Sequence, residues 1–405
     1  MSPEPTLATP AAVAPPSAAD RERWAAADRA ARPARLARLR DQLVTAEVDA
    51  YFGVRSENSR YLTGFALRDG EDRVAGNSGQ FLVRADEVAL LADSRYTEQA
   101  ADEASDARIV PAYHDLSERW PDLVRGCRRV AVEGAYVSRL TWDRLAAAAP
   151  DVELVPVEGW VEALRATKEP SEVERIAAAC AVADAALARL LPTIRPGMTE
   201  AQVALDLEWG MRTNGADALA FDVAVLAGPQ AALPHGSPGA RRIQAGQVLL
   251  FDFGAQVAGY RSDMTRTLFV GEPTEADLDL YRLVAAAQEA ALELLAQAVA
   301  AGDHPIARAV DTAARRVIEA AGRGNQFGHG LGHGIWLATH ESPSLGRQAA
   351  SDAPLPSPTV FSVEPGVYLE GRTGVRIEDL VLFDPDAHRL ERLTRFPREV
   401  TIIKA

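Results

Sequence analysis

The sequence predicts an α+β protein in which a smaller α/β domain precedes the larger α+β one. Three observations predict this. Short apolar runs alternate with helical stretches up to about residue 166. A helix-start signature then marks a boundary over residues 166–170. Beyond it, long helical patterns interleave with strand-like runs that carry turn residues at their midpoints, as antiparallel pairs do.

Residues 1–20, rich in Pro and Ala with few large apolar groups, predict a disordered tail. From residue 21 to 42 the pattern is helical, with Leu36, Leu39 and Leu43 at three- and four-residue spacing. Strands are predicted over 50–54, 80–83, 88–92, 109–110 and 130–132, and helices over 96–104 and 138–148. Nothing in this domain, 21–166, has catalytic spacing. Ser171 with Glu174 three residues on reads as a capping box, so a helix starts there and runs to about residue 191. Further helices are predicted over 199–213, 275–301 and 305–321. Strands fill 223–226, 248–254, 259–270, 360–369, 374–383 and 401–404. The second domain is therefore 167–405.

The 405 residues are 47% hydrophobic and 25% charged, enough for two ordinary cores. A formal net charge of −14 argues against a nucleic-acid or anionic-membrane surface. No apolar run is read as approaching the ~20 residues that span a bilayer, and the first twenty residues lack a basic stretch followed by an apolar core, so a cytoplasmic protein is expected. Cys127 and Cys180 show neither a CxxC nor a Cys/His spacing, which gives no disulfide framework and no thiolate metal site.

Three of the seven histidines, His329, His333 and His340, fall between Gly328 and Glu341. A zinc-protease helix would place His329 and His333 on one face, but Gly328, Gly330, Gly332 and Gly334 would each cost about 1 kcal/mol there. The segment reads instead as a glycine-rich loop leading into a strand or turn.

Two acids sit in apolar surroundings on each of two predicted hairpins. Asp252 interrupts the run Val248–Gly254, and Asp263 follows eleven residues later, with Val257, Ala258 and Gly259 between them as the turn. Glu364 and Glu378 flank a second turn centred on Gly371. Each pair is expected to face across its hairpin, within a residue of register, and like charges so placed need a cation between them. Four carboxylates and one neutral imidazole balance two divalent cations. Oxygen-rich ligation favours Mn²⁺, Co²⁺ or Zn²⁺ over copper, and metals about 3.5–4 Å apart would acidify a shared water and clamp a tetrahedral intermediate. Metal-assisted hydrolysis is the reaction class these residues point to.

The ordered set Asp252, Asp263, His333, Glu364 and Glu378 resembles the five-ligand dinuclear site of the pita-bread metallopeptidases, which include methionine aminopeptidase, aminopeptidase P, Xaa-Pro dipeptidase (prolidase) and metal-free creatinase. The resemblance rests on ten residues between the aspartates, thirteen between the glutamates, and the His-Gly segment between the pairs. It covers residues 168–405, and the N-terminal domain more weakly. It implies a pita-bread catalytic domain and two metal ions, Mn²⁺ ahead of Co²⁺ or Zn²⁺. Asp252 would chelate one ion, His333 and Glu364 the other, and Asp263 and Glu378 would bridge both. Glu364 would be the general base. His235 would face the substrate, His340 would hydrogen-bond its carbonyl, His329 would line the pocket and Arg376 would support proton relay.

The size of the N-terminal domain and the complete ligand set imply aminopeptidase P or prolidase, acting before proline in a peptide, and a homodimer. Hydrolysis of a non-peptide amide, or non-catalytic binding on the same fold, are the alternatives. Two departures from relatives stand out. Trp336 replaces a small residue, which predicts a narrower pocket beside His333. The stretch 347–358, with Pro354, Pro356 and Pro358, lacks the usual Gly-Met turn.

Overall fold

The structure, a computed structural model, describes residues 15–68 and 70–404. The expected tail lies outside the described residues up to residue 14. The first helix begins at Ala18, inside that stretch. The chain divides into two compact units, one of residues 25–165 and one of residues 166–404 with 15–24.

The first unit comprises most of α1 (Ala18–Thr45), then β1 (Ala50–Gly53), α2 (Ser56–Thr63), β2 (Phe81–Arg84), β3 (Val88–Ala92), α3 (Thr97–Glu103), β4 (Arg108–Pro111), α4 (Leu116–Leu123), β5 (Arg129–Glu133), α5 (Arg139–Ala148), β6 (Glu153–Val157) and α6 (Trp160–Ala166). Its six strands run in the order β4-β3-β2-β1-β5-β6, with antiparallel β1–β2 and β2–β3 pairs and parallel pairs elsewhere. Phe52, Leu82, Leu91, Trp120, Val130 and Val132 form its core, which explains why the short strands read as apolar runs. At the end of β5 the buried Glu133 accepts hydrogen bonds from the Tyr51 hydroxyl, the Asn58 amide and the Val54 and Arg55 N–H groups.

The second unit begins with α7 (Pro170–Leu190) and α8 (Glu200–Thr213), then β7 (Ala218–Leu219), β8 (Ala224–Ala227), β9 (Val248–Phe253), β10 (Ala255–Val257), β11 (Tyr260–Arg261) and β12 (Met264–Val270). It continues with α9 (Glu275–Ala301), α10 (Ala307–Ala320), β13 (Gly332–Gly334), β14 (Glu341–Leu345), β15 (Thr359–Val363), β16 (Gly366–Leu369), β17 (Thr373–Arg376), β18 (Asp379–Asp384), β19 (Arg389–Arg392) and β20 (Ile402–Ile403). Its larger sheets are ordered β20-β12-β9-β8 and β14-β13-β15-β18-β19.

Alternate residues of β8 and β9 serve two cores. Val225, Leu249 and Phe251 pack with Ala183, Leu187, Val203 and Leu207 of α7 and α8. Leu226, Val248 and Leu250 join the core that holds α9, α10, Phe361 and Val363. A strand buried on both faces is apolar throughout, so the one acid in β9 stands out.

Helix α7 starts differently from expectation. Its cap is Glu169, whose side chain and that of Glu172 exchange backbone hydrogen bonds in a capping box, and Pro170 is the first helical residue. Proline at that position lacks only an N–H the helix leaves unused, and its fixed φ starts the turn two residues before the Ser171 signature. Thr199 and Gln202 form the corresponding box on α8. Helices α7 and α9 are, by length and composition, long and apolar enough to cross a membrane, contrary to the reading of the apolar runs. Here each contributes to a core, through Ala179, Ala183 and Ala186 of α7 and Ala287, Ala291 and Ala298 of α9.

Candidate metal centre

Three runs that read as continuous strands are each interrupted at an acid. Asp263 lies between β11 and β12, Glu364 between β15 and β16, and Glu378 between β17 and β18. At these gaps the backbone changes partner: the Glu364 N–H bonds to Leu331 O and the Glu378 N–H to Thr265 O. The acids are thereby drawn from separate ladders toward one point.

The second hairpin has the expected register. Val363 opposes Asp379 and Gly366 opposes Arg376, which places Glu364 opposite Glu378. The first hairpin turns at Ala258 and Gly259 as expected, but Asp252 opposes Thr265, not Asp263. The two aspartates are therefore diagonal neighbours, and the two-residue offset keeps both on one face because strand side chains alternate.

All nine residues singled out in the sequence line a single cavity of about 790 Å³: Asp252, Asp263, His333, Glu364, Glu378, His235, His329, His340 and Arg376. Asp263, His333 and Glu378 each present a ligand atom within 4.8 Å of the others. His333 Nδ1 donates to Gly334 O at 3.0 Å, so Nε2 is the nitrogen that faces Glu364 Oε1 at 3.3 Å and Asp263 Oδ2 at 3.8 Å. That backbone bond fixes the ring and its tautomer. His329 has no nitrogen to spare: Nδ1 donates to Gly330 O, and Nε2 accepts from the Tyr368 hydroxyl at 2.8 Å.

Arg376 ties the wall together. Its guanidinium pairs with Asp252 and donates to Thr265 Oγ1 at 2.8 Å, the Tyr368 hydroxyl at 2.9 Å and Pro234 O at 3.3 Å. Thr265 Oγ1 donates in turn to Glu378 Oε2 at 2.7 Å, and Ser362 Oγ to Glu364 Oε1 at 2.9 Å. Thr265, Ser362 and Tyr368 were not anticipated. Each lies an even number of residues from an acid along its strand run, the one signal that could have found them.

Electrostatics and donor chemistry show that the residues fit divalent cations. Burial, then repulsion from the neighbouring carboxylates, pushes Asp263 and Glu378 well above the usual carboxylate range. Burial raises Asp252 as well, against the pull of Arg376. Burial also opposes ionisation of Glu364, but the His333 hydrogen bond and charge outweigh it and hold that carboxyl low. The same contact, again working against burial, lifts His333 to about 9. Crowded acids that repel each other to this degree need positive charge among them. Glu378 Oε1 is buried without a hydrogen-bond partner among the described residues, an oxygen available to a cation.

One expectation is corrected. Trp336 does not narrow the pocket; it is fully buried and is not among the residues lining the cavity. The indole is drawn into the interior by aromatic and cationic neighbours, since Tyr260 stacks on it at 6.3 Å and Lys168 Nζ lies 3.6 Å from its ring centroid. The glycines of the histidine segment are not, in the main, space for a ligand. A Cβ on Gly332 would meet Ser362 O at 1.9 Å and one on Gly334 would meet Ser342 O at 2.2 Å, whereas one on Gly328 would meet nothing within 4 Å. One on Gly330 would meet Leu345 O at 2.7 Å, so three of the four let backbones close on each other.

The stretch 347–358 is strapped down without a Gly-Met turn. Arg308 of α10 pairs with Asp352 and donates to the Arg347 and Gln348 carbonyls, while Leu355 N bonds to Pro305 O.

Hard oxygen donors and one oriented imidazole, buried at the wall of an open cavity, define a metal-dependent hydrolase centre. Residues 174–385 match the model of metallopeptidase family M24, and residues 35–167 match the creatinase/prolidase N-terminal domain. The chain is 33% identical to a Bacillus subtilis protein named as an uncharacterized peptidase, YqhT, over 91% of its own length and 100% of that protein. It is 31% identical to an Xaa-Pro dipeptidase of Pyrococcus furiosus, over 87% and 95% respectively. Among solved structures it resembles an Xaa-Pro dipeptidase from Bacillus anthracis, with TM-score 0.80, 33% identity and coverage of 91% and 99%. It also resembles an X-Pro aminopeptidase from Thermotoga maritima, with TM-score 0.75, 32% identity and coverage of 88% and 98%. The chain belongs to metallopeptidase family M24: a creatinase-type N-terminal domain followed by a pita-bread catalytic domain. Membership implies divalent metal ions and peptide substrates.

Proposed function

We propose that the chain is an exopeptidase hydrolysing the bond before proline, of the Xaa-Pro dipeptidase or aminopeptidase P type, with two divalent cations, Mn²⁺ first. The observation that carries the proposal is the meeting of four carboxylates, those of Asp263 and Glu378 buried, and His333 Nε2 in one cavity that also holds His235 and His340. The names carried by the Pyrococcus, B. anthracis and Thermotoga proteins support the proline preference.

Asp252 would hold one cation, His333 and Glu364 the other, and Asp263 and Glu378 both. Bound there, the cations polarise the scissile carbonyl and acidify a water. Glu364 takes the proton of the attacking water at Oε2, since Ser362 engages Oε1. His340 donates to the carbonyl oxygen as negative charge develops on it. His235 faces the bound peptide and His329 forms the wall beside it. Arg376 favours the ionised form of Asp252 against burial and, through Tyr368, connects the acids to His329 for proton relay. As the working form we propose a cytoplasmic homodimer, read by sedimentation equilibrium.

The test is hydrolysis of an Xaa-Pro dipeptide, an Xaa-Pro-Yaa tripeptide and an Xaa-Ala control in Mn²⁺. Cleavage of the dipeptide alone means a dipeptidase, and cleavage of the tripeptide means an aminopeptidase. Equal cleavage of the Xaa-Ala control refutes the proline preference. Glu364→Gln should abolish turnover with the circular dichroism unchanged, and full activity in that variant refutes the mechanism.

A further inference from the structure

His340 lines the cavity, yet among the described residues its ring has no hydrogen bond. Its recorded ring neighbour is His333, with centroids 4.4 Å apart. The place of His340 is therefore set by the backbone that carries it from β13 to β14, and that backbone needs an anchor. The anchor is Trp336, midway between the two histidines. Its indole is buried between the Lys168 ammonium, 3.6 Å from the ring centroid, and the Tyr260 ring, stacked at 21°. Tyr260 itself lies against the Arg175 guanidinium, 4.1 Å from its centroid. Cations over aromatic faces attract most strongly where water is excluded, and all four of these side chains are buried.

The main chain is held at the same point. The Arg261 N–H bonds to Trp336 O at 2.8 Å and Arg261 Nε to Leu337 O at 3.0 Å. The Trp336 N–H closes a tight turn onto Ala338 O. The arrangement joins two stacked rings, each with a cation against it, to the loop that ends in His340. Thr339 Oγ1, which donates to Ala220 O, makes the last tie before His340.

We propose that Trp336 is a positioning residue for His340: the Lys168–Trp336–Tyr260–Arg175 stack sets where that imidazole meets the substrate carbonyl. The proposal rests on the reading of His340 as the group that contacts that carbonyl. Trp336 does not line the cavity, so the effect assigned to it here is exerted through the placement of His340.

A double-mutant cycle on the full chain in Mn²⁺, with an Xaa-Pro substrate, tests this. Trp336→Ala should lower kcat by about tenfold or more, up to the ~100-fold that a misplaced group can cause, with KM changed less. Trp336→Phe, which keeps a ring in the stack, should recover most of the loss. In a His340→Ala background, Trp336→Ala should have no further effect on kcat. Bound metal, measured by mass spectrometry of the dialysed protein, should be equal in wild type and Trp336→Ala.

Losses that multiply across the two backgrounds overturn the proposal alone. A fall in bound metal also overturns it, because the anchor would then act on His333. A His340→Ala protein with unchanged kcat overturns it together with the reading it rests on. Should Trp336→Ala fail to fold, Trp336→Phe and Lys168→Met replace it in the same cycle. A loss in either variant that disappears with His340→Ala supports the proposal, and a loss that persists overturns it.

Discussion

The Tyr368 hydroxyl has one proton to give, and His329 Nε2 takes it while Arg376 donates to the oxygen. The removal of that hydroxyl leaves two buried partners short. Tyr368→Phe should therefore destabilise the fold by about 1–3 kcal/mol, seen as a lower urea midpoint with an unchanged slope. An unchanged midpoint would mean that water replaces the hydroxyl. In the N-terminal unit, Asp93 makes a separate prediction. Hydrogen bonds from the Arg95 side chain, then its N–H and Ser78, lower the Asp93 carboxyl to about 2. Since the folded value is depressed, the ion pair stabilises the fold fully above about 3.8, and the contribution disappears as pH falls through about 2. Arg95 is 45% exposed, so screening keeps the effect at or below about 1 kcal/mol. The urea-midpoint difference between wild type and Asp93→Asn should shrink from pH 4 to pH 2, and a constant difference would refute the assignment. At this scale the sequence was legible wherever an acid interrupted an apolar run. Thr265, Ser362 and Tyr368 were hidden because hydroxyls are common in strands of any kind.

The strands around the site are held by contacts that a single methyl group would break. Gly332→Ala should give insoluble protein or a fold weakened by at least the ~1–3 kcal/mol of ordinary overpacking, because its Cβ would fall 1.9 Å from Ser362 O. Gly328→Ala, with open space around the new methyl, should leave the melting temperature within a few degrees, as expected of a change below ~1 kcal/mol. Equal tolerance of the two would refute the close-approach argument. Element positions were legible because the cores impose period: α9 spans the predicted residues 275–301 and β9 differs from its run by one residue. Their interruptions were not. A strand that changes partner at Asp263, Glu364 or Glu378 keeps its apolar alternation on both sides of the gap, so the pattern shows no seam. β6 was missed for a related reason, since Glu153–Val157 contains a proline and has no fully buried residue.

For the molecule as a whole, the centre works against the fold until cations arrive. Four carboxylates share a wall with Arg376 and a histidine as their compensation, and three of them are driven toward protonation. Removal of divalent metal with a chelator should lower the calorimetric midpoint. Readdition of Mn²⁺ should restore it in proportion to the logarithm of concentration, by about 2.7 kcal/mol at a hundredfold excess over Kd. A midpoint indifferent to metal would contradict the reading of the site. The boundary was marked in the sequence by a change of helical and strand periodicity at residues 166–170, and the acids of the cavity by their spacing on two hairpins.

Those hairpins also determine where the chain can change length. Glu364 and Glu378 stay opposite only while equal numbers of residues lie on each side of the turn at Gly371. An insertion at that tip lengthens a loop and leaves the ladder alone. One extra residue between Arg376 and Glu378 would turn the carboxylate to the other face while most ladder bonds survived. Such a chain would carry every proposed ligand in its sequence, yet it would present three acids where the proposed site uses four.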